Sequence, residues 1–399
     1  LVSGAGIAGP ALASRLARHG DRVTVVERAP DLRTGGQAVD LRGAGRTVME
    51  RMGLLDRARE LALDQHGFAF VDRRGRLRAK MPVDAFDGGG IISEIEILRG
   101  DLGRLLYEAS IPGTEYRFGD SITALRQTED CVEVTFEHAP PQRFDLVVGA
   151  DGLRSTVRRL AFAADEECLH DLGLLTVGWT AFADVDLDGW FLMHNLPGGL
   201  VATARPGRLP GELKASFGVR TEAGAQVPAD VHAARELIAS RFAGGGWEVP
   251  RLLETMWEAP DVYAYTTAQV RLDAWSRGRV VLLGDAGYCP TPLTGLGTSL
   301  ALVGAYVMAG ELGRADGDHR TAFARYEERM RPYVAQAQEL PPGGVQGFAP
   351  KSALAIRLRT LSTGLMTRWP LRLLVAGAFQ KADAIDLPDY EPGLKEQAA

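Results

Sequence analysis

The stretch Leu1-Val-Ser-Gly-Ala-Gly-Ile-Ala-Gly-Pro10 decides the fold, because it places three glycines in the spacing G-x-G-x-x-G. Its first three residues read as the end of a buried strand, and residues 10–18 have the apolar spacing of a helix. In such a unit, Gly4 permits the tight turn and Gly6 lets the backbone approach a pyrophosphate. Gly9 lets the helix pack on the strand. The loop therefore predicts a phosphate-binding turn.

A second apolar segment, residues 21–26, predicts the next strand, which ends at Glu27. Glu27 lies 18 residues past Gly9, about where an acidic residue holds ribose hydroxyls in dinucleotide-binding folds. Backbone N–H groups at the helix start, that of Ala8 among them, would hold the pyrophosphate. Strand, helix and carboxylate together predict a dinucleotide site. The chain has no initiator Met, so we expect further residues before Leu1.

The composition is that of a globular protein with sizeable cores. The chain has 399 residues, of which 46% are hydrophobic, and a formal net charge of −6, which argues against nucleic acid as a partner. The seven histidines are scattered without ligand spacing, so we predict no metal site. The three cysteines are widely spaced and form no disulfide framework, which predicts a cytoplasmic location. No apolar run approaches the ~20 residues of a membrane span. We expect a monomer or a weak dimer.

Two further strand–glycine–helix units lie far along the chain. An apolar strand runs into Gly149-Ala-Asp-Gly152 and an arginine-rich helix, and a second runs into Gly284-Asp285. The latter continues into a glycine loop, residues 290–299, and a long helix. Asp-Gly and Gly-Asp are common turn dipeptides, so they are informative only in this context. Each unit predicts a loop that can place N–H groups against an anion.

Smaller features lie between these units. The paired glycines Gly35 and Gly36 allow extended backbone close to a ligand, with a solvated loop as the alternative. The segment 68–81 predicts a hairpin. Asp101 is expected to cap a helix, and Arg99 to reach a phosphate or a flavin edge.

In order and spacing, the three units resemble the fingerprints of flavin-dependent aromatic monooxygenases, the para-hydroxybenzoate hydroxylase family. The matching residues are G-x-G-x-x-G with Glu27-Arg28, then Gly149-Ala-Asp-Gly152, then Gly284-Asp285 with Pro292-x-x-Gly295-x-Gly297. They cover almost the whole chain. The segments Gly35-Gly36 with Asp40-Leu41, and Arg99-Gly-Asp101-Leu102, are especially similar to the tetracycline-modifying branch.

The resemblance implies an α/β protein with a Rossmann-like FAD-binding domain (GR2-type flavoprotein), an inserted β-sheet substrate domain and C-terminal helices. It implies an FAD-binding domain of residues 1–75, 98–173 and 273–330, a substrate domain of 76–97 and 174–272, and a helical region of 331–399.

The resemblance also implies non-covalent FAD, NAD(P)H as a transient co-substrate, and O₂. An aromatic substrate would be hydroxylated through a flavin C4a-hydroperoxide. By this resemblance, Glu27 and Arg28 would hold the adenosine end of FAD, and Arg99 and Asp285 would flank its ribityl and pyrophosphate groups. Arg33 would contact NADPH, and the motif that contains Asp151 would serve both dinucleotides. The flavin ring would be faced by Gly295, Leu296, Gly297 and Thr298.

The chain departs from the family at the ring. Tyr288 and Ser299 replace the usual His and Asn, and Phe182 and Leu200 align with polar substrate contacts of the tetracycline branch. Tetracycline itself is therefore not the expected substrate. No catalytic acid or base is evident; Tyr288 and Asp40 are candidates, with wall residues as the alternative.

Strand-like segments in residues 174–219 are expected to line the substrate pocket. The expected lining comprises Trp179, Phe182, Trp190, Phe191, Leu200, Phe217, Tyr288 and Pro292, with packing in the core as the alternative for most of the aromatic residues. A carboxylated phenol would need an arginine there, and only Arg205 and Arg220 lie near strand ends. We therefore expect a neutral, multi-ring phenol or quinone of polyketide or antibiotic type.

Other interpretations share this scaffold. An FAD-dependent reductase or dehydrogenase, or a non-catalytic flavin- or ligand-binding protein, would carry the same cofactor motifs. A flavin halogenase would share the opening motif, but the chain lacks the W-x-W-x-I-P stretch. The segment 356–379 is interpreted as a helix packed on the first domain with solvated arginines, or as a basic membrane-surface helix.

Overall fold

The computed structural model describes residues 1–33, 35–85, 93–222, 224, 228, 230–366 and 384–390. Its strands are β1 (Val2–Ser3), β2 (Val23–Glu27), β3 (Ala38–Leu41), β4 (Gly67–Val71), β5 (Leu77–Pro82), β6 (Ile95–Leu98), β7 (Thr114–Phe118), β8 (Ile122–Gln127), β9 (Val132–Phe136), β10 (Gln142–Phe144), β11 (Val147–Gly149), β12 (Leu169–Phe182), β13 (Trp190–Leu196), β14 (Leu200–Pro206), β15 (Glu212–Arg220), β16 (Tyr263–Val270), β17 (Ser276–Arg277) and β18 (Val280–Leu282).

The helices follow the same order along the chain. They are α1 (Ala8–Arg18), α2 (Gly43–Arg51), α3 (Leu55–Glu60), α4 (Arg99–Ser110), α5 (Thr156–Ala161), α6 (Asp165–Cys168), α7 (Val231–Phe242), α8 (Val249–Glu258), α9 (Asp285–Tyr288), α10 (Gly297–Arg314), α11 (His319–Ala337), α12 (Gly344–Phe348) and α13 (Ala353–Met366), with a 3₁₀ turn at Pro292–Thr294.

The first sheet has the strand order β17-β18-β11-β1-β2-β7 and is parallel except for the edge strand β17. Its central strands β11 and β18 are apolar and fully buried because both faces are covered. In β18, Val281 faces the core formed with α1, α10 and α11, whereas Val280 and Leu282 face the small sheet β10-β9-β8 and α5. The carboxyl ends of parallel strands meet at one edge, where α/β proteins bind ligands.

The second sheet has the order β16-β12-β15-β14-β13-β4-β5, in which only β13 and β4 run parallel. Residues alternate between its two faces. One face packs against α7 and α8 through residues such as Val177, Ala202 and Phe217. We call the opposite face, which is directed toward β6 and residues 35–37, the inner face. The architecture confirms the predicted α/β class with an inserted β-sheet domain and C-terminal helices.

Several local predictions are correct and some need revision. The hairpin of β4 and β5 forms as expected, but β4 belongs to the second sheet, so the predicted boundary at 75/76 falls inside this hairpin. The boundary at 330/331 falls inside α11. Asp101 does not cap α4, whose N-cap is Leu98. Instead it pairs with Arg208 at 2.6 Å, which ties the β14–β15 hairpin to α4.

The helix predicted over residues 356–379 is described only as far as Met366, in α13. It packs on β5 and β13 of the second sheet rather than on the first domain. Arg359 is not solvated, because it donates to the carbonyl oxygens of Gly347 and Phe348 at 2.6 Å and lies 4.2 Å from the ring centroid of Phe70. The rest of that prediction lies outside the described residues.

All three cysteines are free. Within the described residues, no group of three potential metal ligands comes together, and no helix is long and apolar enough to cross a membrane.

A buried arginine holds the second and third glycine units together. The fully buried Arg158 donates to Asp165 at 2.6 Å, to the Leu153 carbonyl at 2.7 Å and to the Ala286 carbonyl at 3.0 Å. Because Ala286 follows the Gly284-Asp285 turn, this side chain fixes α5 against that turn. Loss of one partner of a buried ion pair is costly, since the other is left unpaired.

We predict that Arg158→Met lowers the free energy of unfolding by about 3 kcal/mol, measured by urea titration. Arg159→Met is the matched control: Arg159 lies 3.5 Å from the same carboxylate of Asp165, but its side chain is 41% exposed. Its effect should stay below about 1 kcal/mol, the range of exposed pairs. Equal losses in the two variants would contradict the linking role of Arg158.

Candidate functional site

The first glycine loop is shaped by backbone contacts at two of its glycines and is open at the third. Gly4 has a φ of +106°, and a Cβ on it would lie 2.6 Å from the Ala150 carbonyl oxygen. A Cβ on Gly9 would lie 2.0 Å from the Gly4 carbonyl oxygen, so only glycine fits there. A Cβ on Gly6 would meet nothing within 4 Å. The loop therefore offers free space at the position where the motif predicts a pyrophosphate.

Two helix N-termini lie side by side at this place. The first turns of α1 and α10 contain no acidic residue and have no side-chain cap. Gly284 lies between them, since its Cβ would be 3.3 Å from the Cβ of Ala8 and 3.8 Å from that of Ala301. Uncapped N–H groups and the positive ends of two helix dipoles attract anions and electron-rich oxygen atoms. This arrangement fits the pyrophosphate and the ring of FAD.

Asp285 stands beside the start of α10. A Cβ on Gly297 would lie 3.9 Å from its carboxylate oxygen. Solvent reaches the side chain of Asp285. The surrounding protein nevertheless raises the pKa of its carboxyl group by burial, and a hydrogen bond with Cys289 offsets this rise only in part. Both observations hold for a carboxylate in a concave wall that is reached by solvent from one side. Such a carboxylate suits hydroxyl donors such as those of a ribityl chain.

Glu27 is held at the first glycine loop. Its carboxylate accepts hydrogen bonds from the backbone N–H groups of Ala5 and Ala29, both at 2.9 Å, and lies 3.4 Å from Arg33. Arg99 donates to the carbonyl oxygen of Gly35 at 3.4 Å; burial and then the charge of Arg33 lower the pKa of its guanidinium, while Tyr263 and Glu27 raise it. The structure thus brings Glu27, Arg33 and Arg99 together. Arg28 is exposed. Their predicted cofactor contacts stay predictions.

Asp151 makes hydrogen bonds within the protein that the sequence did not predict. Its carboxylate accepts hydrogen bonds from the Ser155 hydroxyl and from the backbone N–H groups of Thr156 at 2.8 Å and Val157 at 3.1 Å. Both oxygens therefore stabilise the start of α5. In this structure Asp151 supports the turn beside Gly4, and its contact with a dinucleotide stays a prediction.

Four residues that were predicted to line the pocket lie on the face of the second sheet opposite the inner face. Trp179, Trp190, Leu200 and Phe217 all belong to the core under α7 and α8. The indole N–H of Trp179 donates to the Thr255 hydroxyl at 3.0 Å, and the ring centroid of Phe217 lies 4.6 Å from that of Phe242. Strand alternation turns these side chains away from the inner face, so they are core residues.

Tyr288 is also a core residue. Only 1% of its surface is exposed, and its hydroxyl lies 2.8 Å from that of Tyr326. Burial raises the pKa of Tyr288 to about 12. It therefore neither lines the pocket nor serves as the acid or base that sequence analysis considered. Phe182 lies at the exposed end of β12, with 64% of its surface accessible, and Pro292 is exposed at the start of its 3₁₀ turn.

Asp40, the other candidate acid or base, lies beside the predicted ring loop. Its carboxylate is 3.2 Å from the position of a Cβ on Gly295, whose φ of +66° is left-handed. It pairs with Arg42 at 2.8 Å and accepts the backbone N–H of Ser93 at 2.9 Å. A carboxyl group paired in this way can hold a polar group near the predicted ring loop.

The inner face is more polar than the sequence suggested. It carries Thr176, Thr180, Phe191, Met193, Thr203, Arg205, Lys214, Ser216, Tyr263 and Tyr265, which alternate with the core residues. Arg205 donates to Glu96 of β6, 109 residues away, and Lys214 pairs with Glu212 at 2.7 Å. Alternation relative to Trp179 and Phe217 was the available signal, but the sequence did not say which face meets the cofactor.

These residues fit FAD: an open glycine loop, two uncapped helix starts, and a carboxylate beside the second of them. Bound FAD supplies the redox chemistry, and the chain holds it and offers a polar sheet face for a second ligand. Water exclusion and orientation are the contributions of the protein.

Comparison with known proteins agrees with this geometry. A family model described as FAD binding domain matches residues 1–340. An uncharacterised protein of Mycobacterium tuberculosis (strain ATCC 25618 / H37Rv) is 43% identical over 88% of this chain and 94% of its own. The FAD-dependent monooxygenase asL6 of Sarocladium schorii is 35% identical over 100% and 99%. The crystal structure of the tetracycline destructase Tet(55) matches with a TM-score of 0.81, 33% identity and 98% coverage of both chains.

We predict that Gly6→Ala lowers FAD affinity at least about tenfold, or ~1.4 kcal/mol, because the added methyl group enters the open space over the loop. Flavin content of the purified protein measures this. Urea unfolding of the flavin-free protein should be unchanged, since the methyl group meets no protein atom within 4 Å. Retained flavin would place the pyrophosphate elsewhere.

We predict that Tyr288→Phe leaves turnover unchanged and lowers the free energy of unfolding by about 1 kcal/mol, the cost of one hydrogen bond. Steady-state kinetics and urea titration separate the two effects. Tyr326→Phe, which removes the partner hydroxyl, is the matched control. A large loss of turnover with unchanged unfolding would return Tyr288 to the list of catalytic candidates.

Proposed function

The chain belongs to the family defined by this FAD binding domain and is an FAD-dependent monooxygenase of the para-hydroxybenzoate hydroxylase family, and we propose that it hydroxylates a neutral, multi-ring aromatic compound of polyketide or antibiotic type. NAD(P)H serves as the transient reductant and O₂ as the oxygen source in this proposal. The substrate lies between the inner face of the second sheet and the loop that contains Gly295.

The charge state of the inner face carries this proposal. The two buried cations that its own strands carry already have anionic partners, Glu96 for Arg205 and Glu212 for Lys214. A carboxylated phenol needs an unmatched cation, because a buried carboxylate without one is costly. A neutral substrate needs no such partner. The observation therefore favours neutral aromatic rings over hydroxybenzoates.

The remaining groups of the inner face suit a ring system that carries several oxygen atoms. Thr176, Thr203 and Ser216 provide hydroxyl groups, and the partly buried Phe191 provides apolar surface. Apolar area contributes ~25 cal/mol per Å², so a flat multi-ring compound gains more than a single ring. The likeness to a tetracycline destructase supports a substrate of this class.

The reductant is proposed to approach near Arg33. This guanidinium is 52% exposed and lies beside Glu27. An exposed cation next to the cofactor site suits a phosphate-bearing molecule that binds and leaves. FAD retention does not require it in this proposal.

The proposal is tested with the FAD-loaded protein and a panel of neutral multi-ring phenols and quinones alongside 4-hydroxybenzoate. We predict faster NAD(P)H oxidation with the former, a product heavier by one oxygen atom, and little H₂O₂. Coupled turnover of 4-hydroxybenzoate with the multi-ring compounds inert would overturn the substrate class. A reductase would consume NAD(P)H without oxygen in the product, and a binding protein would leave NAD(P)H consumption unchanged by every compound.

A further inference from the structure

We propose that Glu96 determines specificity: its charge cancels that of Arg205 and so excludes carboxylated aromatic ligands, and loss of that charge turns Arg205 into a carboxylate-binding group. The inference rests on the proposed function, because it takes the inner face as the wall of the substrate pocket. It assigns to this wall a selectivity that depends on one residue outside the sheet.

The two side chains are fixed against each other. Glu96 on β6 and Arg205 on β14 are both buried, and Nη1 of Arg205 donates to Oε1 of Glu96. On its other side, the guanidinium lies 3.9 Å from the ring centroid of Phe191. The arginine is held between a ring and a carboxylate, so its guanidinium keeps one orientation whichever ligand is present.

The pair has unused hydrogen-bonding capacity. Oε2 of Glu96 and Nε of Arg205 are buried and have no hydrogen-bond partner. A guanidinium offers five N–H donors and binds carboxylates through two at once. A ligand carboxylate is therefore opposed by the charge of Glu96 and not by a lack of donors. Two carboxylates that share one buried cation repel each other strongly.

Most charges on the neighbouring elements pair among themselves and so do not replace this balance. The pairs are Asp40 with Arg42 beside β3, Glu212 with Lys214 on β15, Asp101 of α4 with Arg208, and Asp56 with Arg59 and Arg57 with Glu108 on or next to α3. Two arginines bond to backbone carbonyl oxygens instead, Arg99 of α4 to Gly35 and Arg359 of α13 to Gly347 and Phe348. Asp261 accepts hydrogen bonds from Thr180. On β16, burial raises the pKa values of Tyr263 and Tyr265, so both are neutral near pH 7.

Protonation gives access to the uncharged form of Glu96 without mutation. Burial raises the pKa of Glu96 to about 7; the charge of Arg205 lowers it and that of Asp40 raises it further. The carboxyl group is thus mostly ionised at pH 8 and mostly neutral at pH 6. Its neutral form leaves the charge of Arg205 unmatched, so acid should favour anionic ligands.

The test uses the FAD-loaded protein with two probes that differ only in charge, 2-naphthoate and its methyl ester. Binding is measured by the change in flavin absorbance, without turnover. We predict that the Kd of 2-naphthoate falls about tenfold from pH 8 to pH 6, following the neutral fraction of Glu96, while that of the ester stays constant. A constant or rising Kd for 2-naphthoate would overturn the inference.

Variants locate the effect. Glu96→Gln should fix the Kd of 2-naphthoate near its low-pH value and abolish the pH dependence, and adding Arg205→Gln should remove that gain. The matched control is Glu94→Gln, since Glu94 lies two residues away, is 67% exposed and pairs with Arg46. The control should keep the parent pH dependence. If Glu96→Gln fails to fold, the pH dependence of the parent protein decides alone.

The outcomes separate this inference from the proposed function. If the ester binds and 2-naphthoate shows no pH dependence, only the role of Glu96 is wrong. If neither probe changes the flavin spectrum at any pH, the inner face is not the ligand wall, and the substrate class and the role of Glu96 fall together.

Discussion

The close approach of α1 and α10 at Gly284 is the contact on which the rest of the site depends. Both helices begin without an acidic residue or a side-chain cap, and Gly284 lies against both, since a Cβ on it would be 3.3 Å from that of Ala8 and 3.8 Å from that of Ala301. The N–H groups there have no partners within their own helices. A group with negative charge or electron-rich oxygen atoms is the natural complement, and this requirement explains why glycines recur at the ends of strands far apart in the chain.

A second constraint is the sidedness of the seven-stranded sheet. Because neighbouring residues in a strand point to opposite faces, the residues that alternate with the aromatic core under α7 and α8 lie on the other side, and several of them are hydroxylated or charged. The protein thus combines a conventional apolar core with a polar ligand wall in one layer. Buried charges on that wall are tolerated because each is matched by a carboxylate from β6 or from the same strand.

The sequence was sufficient for the fold class and for the glycine units, since these depend on short-range spacing and on strand and helix periodicity. It was not sufficient for the pocket. Trp179, Leu200 and Phe217 are large apolar residues of the kind that line ligand pockets. Periodicity shows only which residues share a face of the sheet, however, and not which face is directed toward the cofactor. The pairing of Glu96 with Arg205 spans 109 residues, so no local pattern signals it. The prediction for Tyr288 rested on its position shortly after Gly284-Asp285. It fails because the side chain of Tyr288 packs in the core.

The order of strands in the first sheet has a consequence for how the protein acquires its shape during synthesis. Strand β1 pairs with β11, and β11 pairs with β18, so the centre of the sheet joins segments from the beginning, middle and later part of the chain. Until residues 280–282 leave the ribosome, one edge of this sheet lacks its neighbour, and the seven-stranded sheet is completed earlier. Such non-local pairing slows folding and prolongs the exposure of apolar strands. A nascent chain of this protein therefore gains its cofactor late, after its seven-stranded sheet has formed.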